Sequence, residues 1–209
     1  MNPAILTYVE LPGQLPPQIA VQLRAAVPYG RRMRLAAEGA PAIASLLGIA
    51  LARVLLGELL NESPASVRLQ FPYRKKPVGP VGADFSLSHS GTWLAGIACA
   101  SARVGLDIEA TAAASSSAHA ARRDLVDWTA REATVKAGAS SLNEVSKVQV
   151  HDSHCLWREQ RWLLVRPQGP EGLIAAVVSD QRLAVAVRWL TWESLVARVV
   201  APGTQMACA

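Results

Sequence analysis

Residues 103–110 read RVGLDIEA and lie at the middle of a 209-residue chain. Taken as a strand, VGLDIE alternates, with Val104, Leu106 and Ile108 on one face and Asp107 and Glu109 on the other. Two carboxylates on one face repel each other unless water or a cation separates them. A hard cation such as Mg²⁺ answers that problem, because it is commonly held by one or two carboxylates together with substrate phosphates. Taken alone, a strand with one solvated face is the simpler account. Gly105 adds that a backbone or ligand approaches closely there, or that the strand bulges.

Working outward, ILTYVE (5–10) predicts a strand and residues 31–39 a short helix. Pro41 opens a long helix to about Leu60. VRLQF (67–71), FSLS (85–88) and LAGIACA (94–100) have strand character and are punctuated by Pro and Gly. Beyond the central strand, the small-residue stretch 110–121 suits a linker or mobile loop, and 122–139 is helical in composition. VSKVQV, RWLLVR, LIAAVV and LAVAVRW then read as a strand series. A helix-then-strands pattern thus occurs twice, in halves meeting near residue 108, although no sequence repeat marks them.

Composition narrows the class. The longest charge-free run in the most apolar region, Gly39–Ala52, is short of the ~20 residues a membrane span needs, so a buried helix and no membrane partner are expected. The N-terminus has no basic segment ahead of its apolar stretch and does not read as a secretory signal. Cys99, Cys155 and Cys208 are odd in number and far apart, which suits a reducing cytoplasm. The net charge of +5 points to an anionic partner. RRMR (31–34) and RKK (74–76) suit a few phosphates better than a duplex, and no zinc-finger or RNA-recognition spacing is present, so no nucleic acid is expected.

Two further stretches carry chemistry. FSLSHSG (85–91) sets Ser86, Ser88, His89 and Ser90 beside a glycine turn. It lacks the G-x-S-x-G spacing of a hydrolase nucleophile, and a phosphate-binding turn uses its hydroxyls, amides and imidazole better. In DWTAREATVKAG, helical spacing puts Asp124, Trp128, Glu132 and Lys136 on one face. For this helix alone, an ordinary exposed Glu132–Lys136 pair is the better account. HDSHC (151–155) fits no standard zinc spacing and reads as a turn. Trp157, Trp162, Trp189 and Trp192 read as core or half-buried packing, and Cys99 as a small buried hydrophobe.

In order, FSLSHSG, VGLDIE and WTAREATVK resemble the motif set of the 4′-phosphopantetheinyl transferases of the surfactin-synthetase-activating type. Weaker likenesses run from ASLLG in the long helix through KKP (75–77) to WLTWESLV, covering most of the chain. The resemblance implies an α/β fold built as a pseudo-twofold pair of similar α+β subdomains, 1–107 and 108–209. Each would be a small, mostly antiparallel sheet packed by a long helix, with the active site in the cleft between them. It implies a monomeric, Mg²⁺-dependent holo-carrier-protein synthase acting on coenzyme A. The acceptor would be an acidic apo acyl or peptidyl carrier protein of fatty acid, polyketide or nonribosomal peptide biosynthesis. Asp107, Glu109 and Glu132 would hold Mg²⁺, and Glu132 and Lys136 would be catalytic. Arg32, Ser45, Lys76, Ser88, His89, Arg131 and Lys136 would bind coenzyme A.

The chain departs from that pattern in four places. Arg131 stands where lysine is usual, Ala44 where arginine is common, and Lys75 where a glycine precedes the KP pair. The segment between Glu109 and Trp128 is short and serine-rich. Ala44 and that segment motivate an alternative: a coenzyme A- or carrier-binding protein without turnover.

Overall fold

The computed structural model describes residues 1–32, 35, 39–73, 75–111 and 118–200. Residues 112–117 of the expected linker, together with Arg34, Arg74 and Cys208, lie outside them. The chain is a mixed α/β protein with two sheets.

The first sheet contains β1 (Asn2–Glu10), β2 (Ala83–Ser90), β3 (Trp93–Ala100) and β9 (Leu183–Leu190), in the order β2-β3-β1-β9. The second contains β4 (Val104–Ala110), β5 (Gln149–Val150), β6 (His154–Trp157), β7 (Gln160–Val165) and β8 (Leu173–Ser179), in the order β4-β8-β7-β6-β5. Every pairing is antiparallel except β1 with β9, which run parallel from Asn2↔Leu183 to Val9↔Leu190.

Side-chain alternation sorts the core into layers. Leu6, Tyr8 and Ile97 of the first sheet meet Leu106, Ile108 and Val177 of the second. On the outer face of the first sheet, Val9, Leu94 and Ala98 pack under α3 (Ala40–Leu60). On the outer face of the second, Ala176 and Val178 pack under α4 (Ala118–Ala137). The order is helix, sheet, sheet, helix, a layered solution that buries both faces of each sheet. Strands covered on both faces carry near-continuous apolar runs, which is why LAGIACA and LIAAVV lack polar alternation.

α3 begins with Pro41 in its first turn, as expected, and ends at Asn61 in the left-handed conformation. By length and composition α3 is apolar enough to cross a membrane, yet it is mostly buried inside this protein. That agrees with a helix apolar all round. Gly105 of β4 is required by its neighbour: a Cβ there would stand 1.9 Å from the Ala133 carbonyl oxygen on α4. Close approach, rather than a bulge, is the reason for this glycine.

Several expectations are corrected. Of the helix expected at 31–39, Arg31 and Arg32 end α2 (Tyr29–Arg32), while residues 33, 34 and 36–38 lie outside the described residues; α1 (Pro17–Ala26) was not anticipated. VRLQF is no strand, and only Gln70 bridges to Val78. VSKVQV is divided: Val145–Lys147 end a 3-10 helix, Leu142–Lys147, capped by the Ser141 hydroxyl, which accepts from the Asn143 N–H, and only Gln149–Val150 are strand. HDSHC turns at Asp152–Ser153 and enters β6 at His154. α5 (Trp192–Val199) closes the described chain, with Thr191 as its N-cap. Trp157 and Trp162 are core, but Trp189 is 54% exposed.

A division at 107/108 does not match sheet membership. β4 belongs whole to the second sheet, while β9 and α5 return to the first. Glu58 of α3 fixes that return through ion pairs to Arg188 (2.5 Å) and Arg198 (2.6 Å).

Candidate active site

β2 and β4 are edge strands of different sheets that lie side by side with no backbone ladder between them. Side chains bridge the seam instead. Asp84 accepts from the Val104 N–H, Ser88 donates to Asp107 (2.7 Å), and Ser90 donates to Glu109 (2.8 Å). Ser86, Ser88 and Ser90 share the strand face that turns toward β4. His89 stands on the other face and is exposed.

The Asp107–Glu109 face of β4 is covered by α4 rather than by solvent, which rules out the simpler account of this strand. Asp107 is 2% exposed. Its Oδ1 accepts from Ser88 and from the Lys136 ammonium at 2.5 Å, while its Oδ2 is buried with no partner among the described residues. Lys136 also lies 3.3 Å from Ser88 Oγ and 3.6 Å from Glu132. Glu132 and Lys136 are therefore not an ordinary exposed pair, although Asp124 and Trp128 of the same stripe are exposed. Burial pushes the Glu132 carboxyl above the usual carboxylate range. The charges of Asp107 and Glu109 add to the shift and Lys136 opposes it.

Ser88 and Lys136 form part of the wall of a cavity of about 740 Å³ that runs from the start of α3 to the 3-10 helix. Ser45, Lys76 and His89 line it, as do Arg31 and Lys75. Its described lining contains four Lys or Arg side chains and no carboxylate, which is the electrostatic signature of an anion site. The three carboxylates lie outside the lining, beyond Ser88 and Lys136.

Other expected residues take different places. Arg32 donates to the carbonyls of Ala25 and Val27 at the end of α1 and does not line the cavity. Lys76 lines it, but its ammonium is held by Asp84 (2.6 Å) and the Val104 carbonyl (2.7 Å). Burial lowers the Lys76 pKa, against the pull of Asp84. Arg131 lies outside the cavity lining. Ala44, at the position where an arginine is common in the resembling family, is part of the lining.

The Ser90–Glu109 bond, Asp84 and the Ser140–Asn143 segment were not anticipated. For Ser90 the signal was present, since a residue two beyond Ser88 on a strand shares its face. Asp84 and Ser140–Asn143 reach the site through tertiary contacts that no local spacing announces.

Asp107, Glu109 and Glu132 carry oxygen donors of the kind a hard cation takes, and Asp107 Oδ2 is buried with no hydrogen-bond partner among the described residues. Among the described residues, no three or more His, Cys, Asp or Glu side chains stand together as a ready metal cluster. The Lys136 ammonium supplies positive charge between Asp107 and Glu132.

No protein-family model matches the chain, and no curated protein sequence matches it.

Proposed function

We propose that this chain transfers the 4′-phosphopantetheine group of coenzyme A to a serine hydroxyl of an acidic apo carrier protein and releases 3′,5′-ADP. The observation that carries the reading is the cationic cavity abutting a buried Asp107–Ser88–Lys136 cluster, with Glu132 and Glu109 adjoining. An anionic cofactor suits the cavity, and a proton acceptor with a raised pKa suits the activation of a hydroxyl.

In this reading Arg31, Lys75 and His89 bind the phosphates of coenzyme A in the cavity, and Ser88 and Ser45 add hydroxyls. Asp107, Glu109 and Glu132 would hold Mg²⁺, which when bound neutralises pyrophosphate charge. Glu132 takes the proton from the carrier serine as its oxygen bonds to the β-phosphorus and the bond to the departing 3′,5′-ADP breaks. Lys136 offsets the charge that develops on the leaving oxygen. Ser88 and Ser90 orient Asp107 and Glu109. The reading includes a monomer acting in the cytoplasm, where coenzyme A is its co-substrate.

The finer architecture belongs to the same proposal. With the returning strand β9 set aside, the opening strand, the last strand and the one before it take the same order in each sheet: β2-β3-β1 in one and β7-β8-β4 in the other, each covered by one long helix. That recurrence supports a pseudo-twofold pair with its cleft at the β2–β4 seam.

The test is intact-mass analysis of apo carrier proteins incubated with the chain, coenzyme A and Mg²⁺. The expected result is a gain of one phosphopantetheine that disappears with chelator and with Glu132→Gln. No gain on any carrier would overturn the transferase. The alternative, a coenzyme A-binding protein without turnover, draws on Ala44 in the cavity wall and on Lys76 being tied to Asp84. It would show as binding by calorimetry with no mass gain.

A further inference from the structure

A second cavity, of about 490 Å³, lies where the end of β1, the start of β3 and the β9–α5 junction meet. It shares no lining residue with the cationic cavity. Trp93, Trp189 and Trp192 line it, which is half of the chain's six tryptophans. Glu10 and Glu193 are the only charged residues in its described lining, and neither has an ion-pair partner among the described residues. Leu11, Pro12 and Leu190 complete an apolar surface.

The local sequence explains why these groups meet. Glu10 is the register partner of Trp93, and Tyr8 that of Trp189, so the parallel β1–β9 pair and the β1–β3 pair end together. Trp189 stacks on the buried Tyr8, with centroids 6.0 Å apart and planes at 29°, and is thereby braced while remaining more than half exposed. Thr191 caps α5, which sets Glu193 in its first turn at the rim. An exposed Trp189 is costly surface, and here it stands with the partly buried Trp93 and Trp192 around two carboxylates.

The chemistry selects one class of occupant. An anion would meet two carboxylates and no cation. A neutral apolar ligand would desolvate those carboxylates without pairing them. A metal ion would find two carboxylates amid indoles and little else to coordinate it. A weakly hydrated organic cation satisfies both sets of groups, lying against the indole faces while the carboxylates balance its charge. We propose that this cavity is a binding site for a small alkylammonium compound, one bearing a quaternary or heavily alkylated nitrogen. The cavity volume suits a small molecule.

The test follows the six indole N–H resonances of the full chain during titration with choline. In parallel, the uncharged carbon isostere is titrated, in which a tert-butyl group replaces trimethylammonium. Saturable shifts of Trp93, Trp189 and Trp192 are expected, with Trp128, Trp157 and Trp162 unmoved. The isostere should bind about tenfold more weakly or worse. Trp189→Ala should weaken choline by about tenfold, and Glu193→Gln, at an exposed carboxylate, should weaken it severalfold without unfolding risk. Equal binding of choline and its isostere would overturn the proposal, as would the absence of saturable shifts through the millimolar range. The readout does not depend on phosphopantetheine transfer, so either reading can fail without the other.

Discussion

Asp107 accepts from Ser88 and Lys136 through one oxygen and leaves the other unsatisfied inside the protein. Asp107→Asn keeps the shape and removes the charge. Transfer to a carrier protein should fall by ~10²-fold or more, measured as the rate of holo-carrier appearance; an unchanged rate would remove Asp107 from the site. Tyr8 and Cys99 provide a second prediction at this scale. Burial raises the Tyr8 phenol from 10.0 to about 12 and the Cys99 thiol from 9.0 to about 12. The folded state holds these protons after the unfolded chain has released them. The stability they contribute is therefore full below pH 9 and is lost as pH rises from 9 toward 12. Urea midpoints should fall across that window, and Tyr8→Phe with Cys99→Ala should flatten the slope. Strand and helix periodicities put Asp107 with Glu109 and Glu132 with Lys136 on shared faces, but only the ordered resemblance of the three motifs joined them to Ser88 in one site. Arg32 and Lys76 were expected as phosphate ligands from the resemblance and their basic clusters, yet carbonyls at the end of α1 and the Asp84 carboxylate hold them.

β4 and α4 carry the proposed centre between them, and Gly105 sets how closely they pack. Gly105→Ala would drive a methyl into the Ala133 carbonyl and the Ala137 amide nitrogen, both backbone atoms that cannot swing aside. A loss of about 3 kcal/mol is expected in urea titration, toward the upper end of overpacking costs, together with loss of transfer as Glu132 and Lys136 shift from Asp107. A variant of unaltered stability would show that the two elements separate readily. At this scale α3 and β4 were legible, one through a long apolar run behind Pro41 and the other through strict alternation. VRLQF has the composition of a strand, yet it joins neither sheet, and only Gln70 pairs, in an isolated bridge to Val78. VSKVQV puts Val145 and Val148 inward, three residues apart, which fits a 3-10 turn better than an alternating strand.

The two sheets share a core, a side-chain seam and a returning C-terminal segment, so they should not melt separately. Calorimetry of the whole chain should give one transition, and two resolved transitions would contradict the shared core. Leu195 of α5 is fully buried against α3. Leu195→Ala should cost about 3 kcal/mol and lower that single transition as a unit. The return of β9 was the least legible feature of the molecule. LAVAVRW announces a strand, but nothing local says that its partner is β1, 181 residues away at Asn2↔Leu183.

That pairing has a consequence for synthesis on the ribosome. β1 emerges first, and β3 can cover one of its edges once residue 100 is made. Its other edge has no partner until residues 183–190 leave the exit tunnel, and α3 lacks the α5 part of its cover until later still. For most of its elongation the nascent chain therefore presents an open strand edge, the kind of surface that recruits other unfinished chains. Completion of the first sheet waits on a closure that joins Asn2 to Leu183, the kind of long-range pairing that is slow to form.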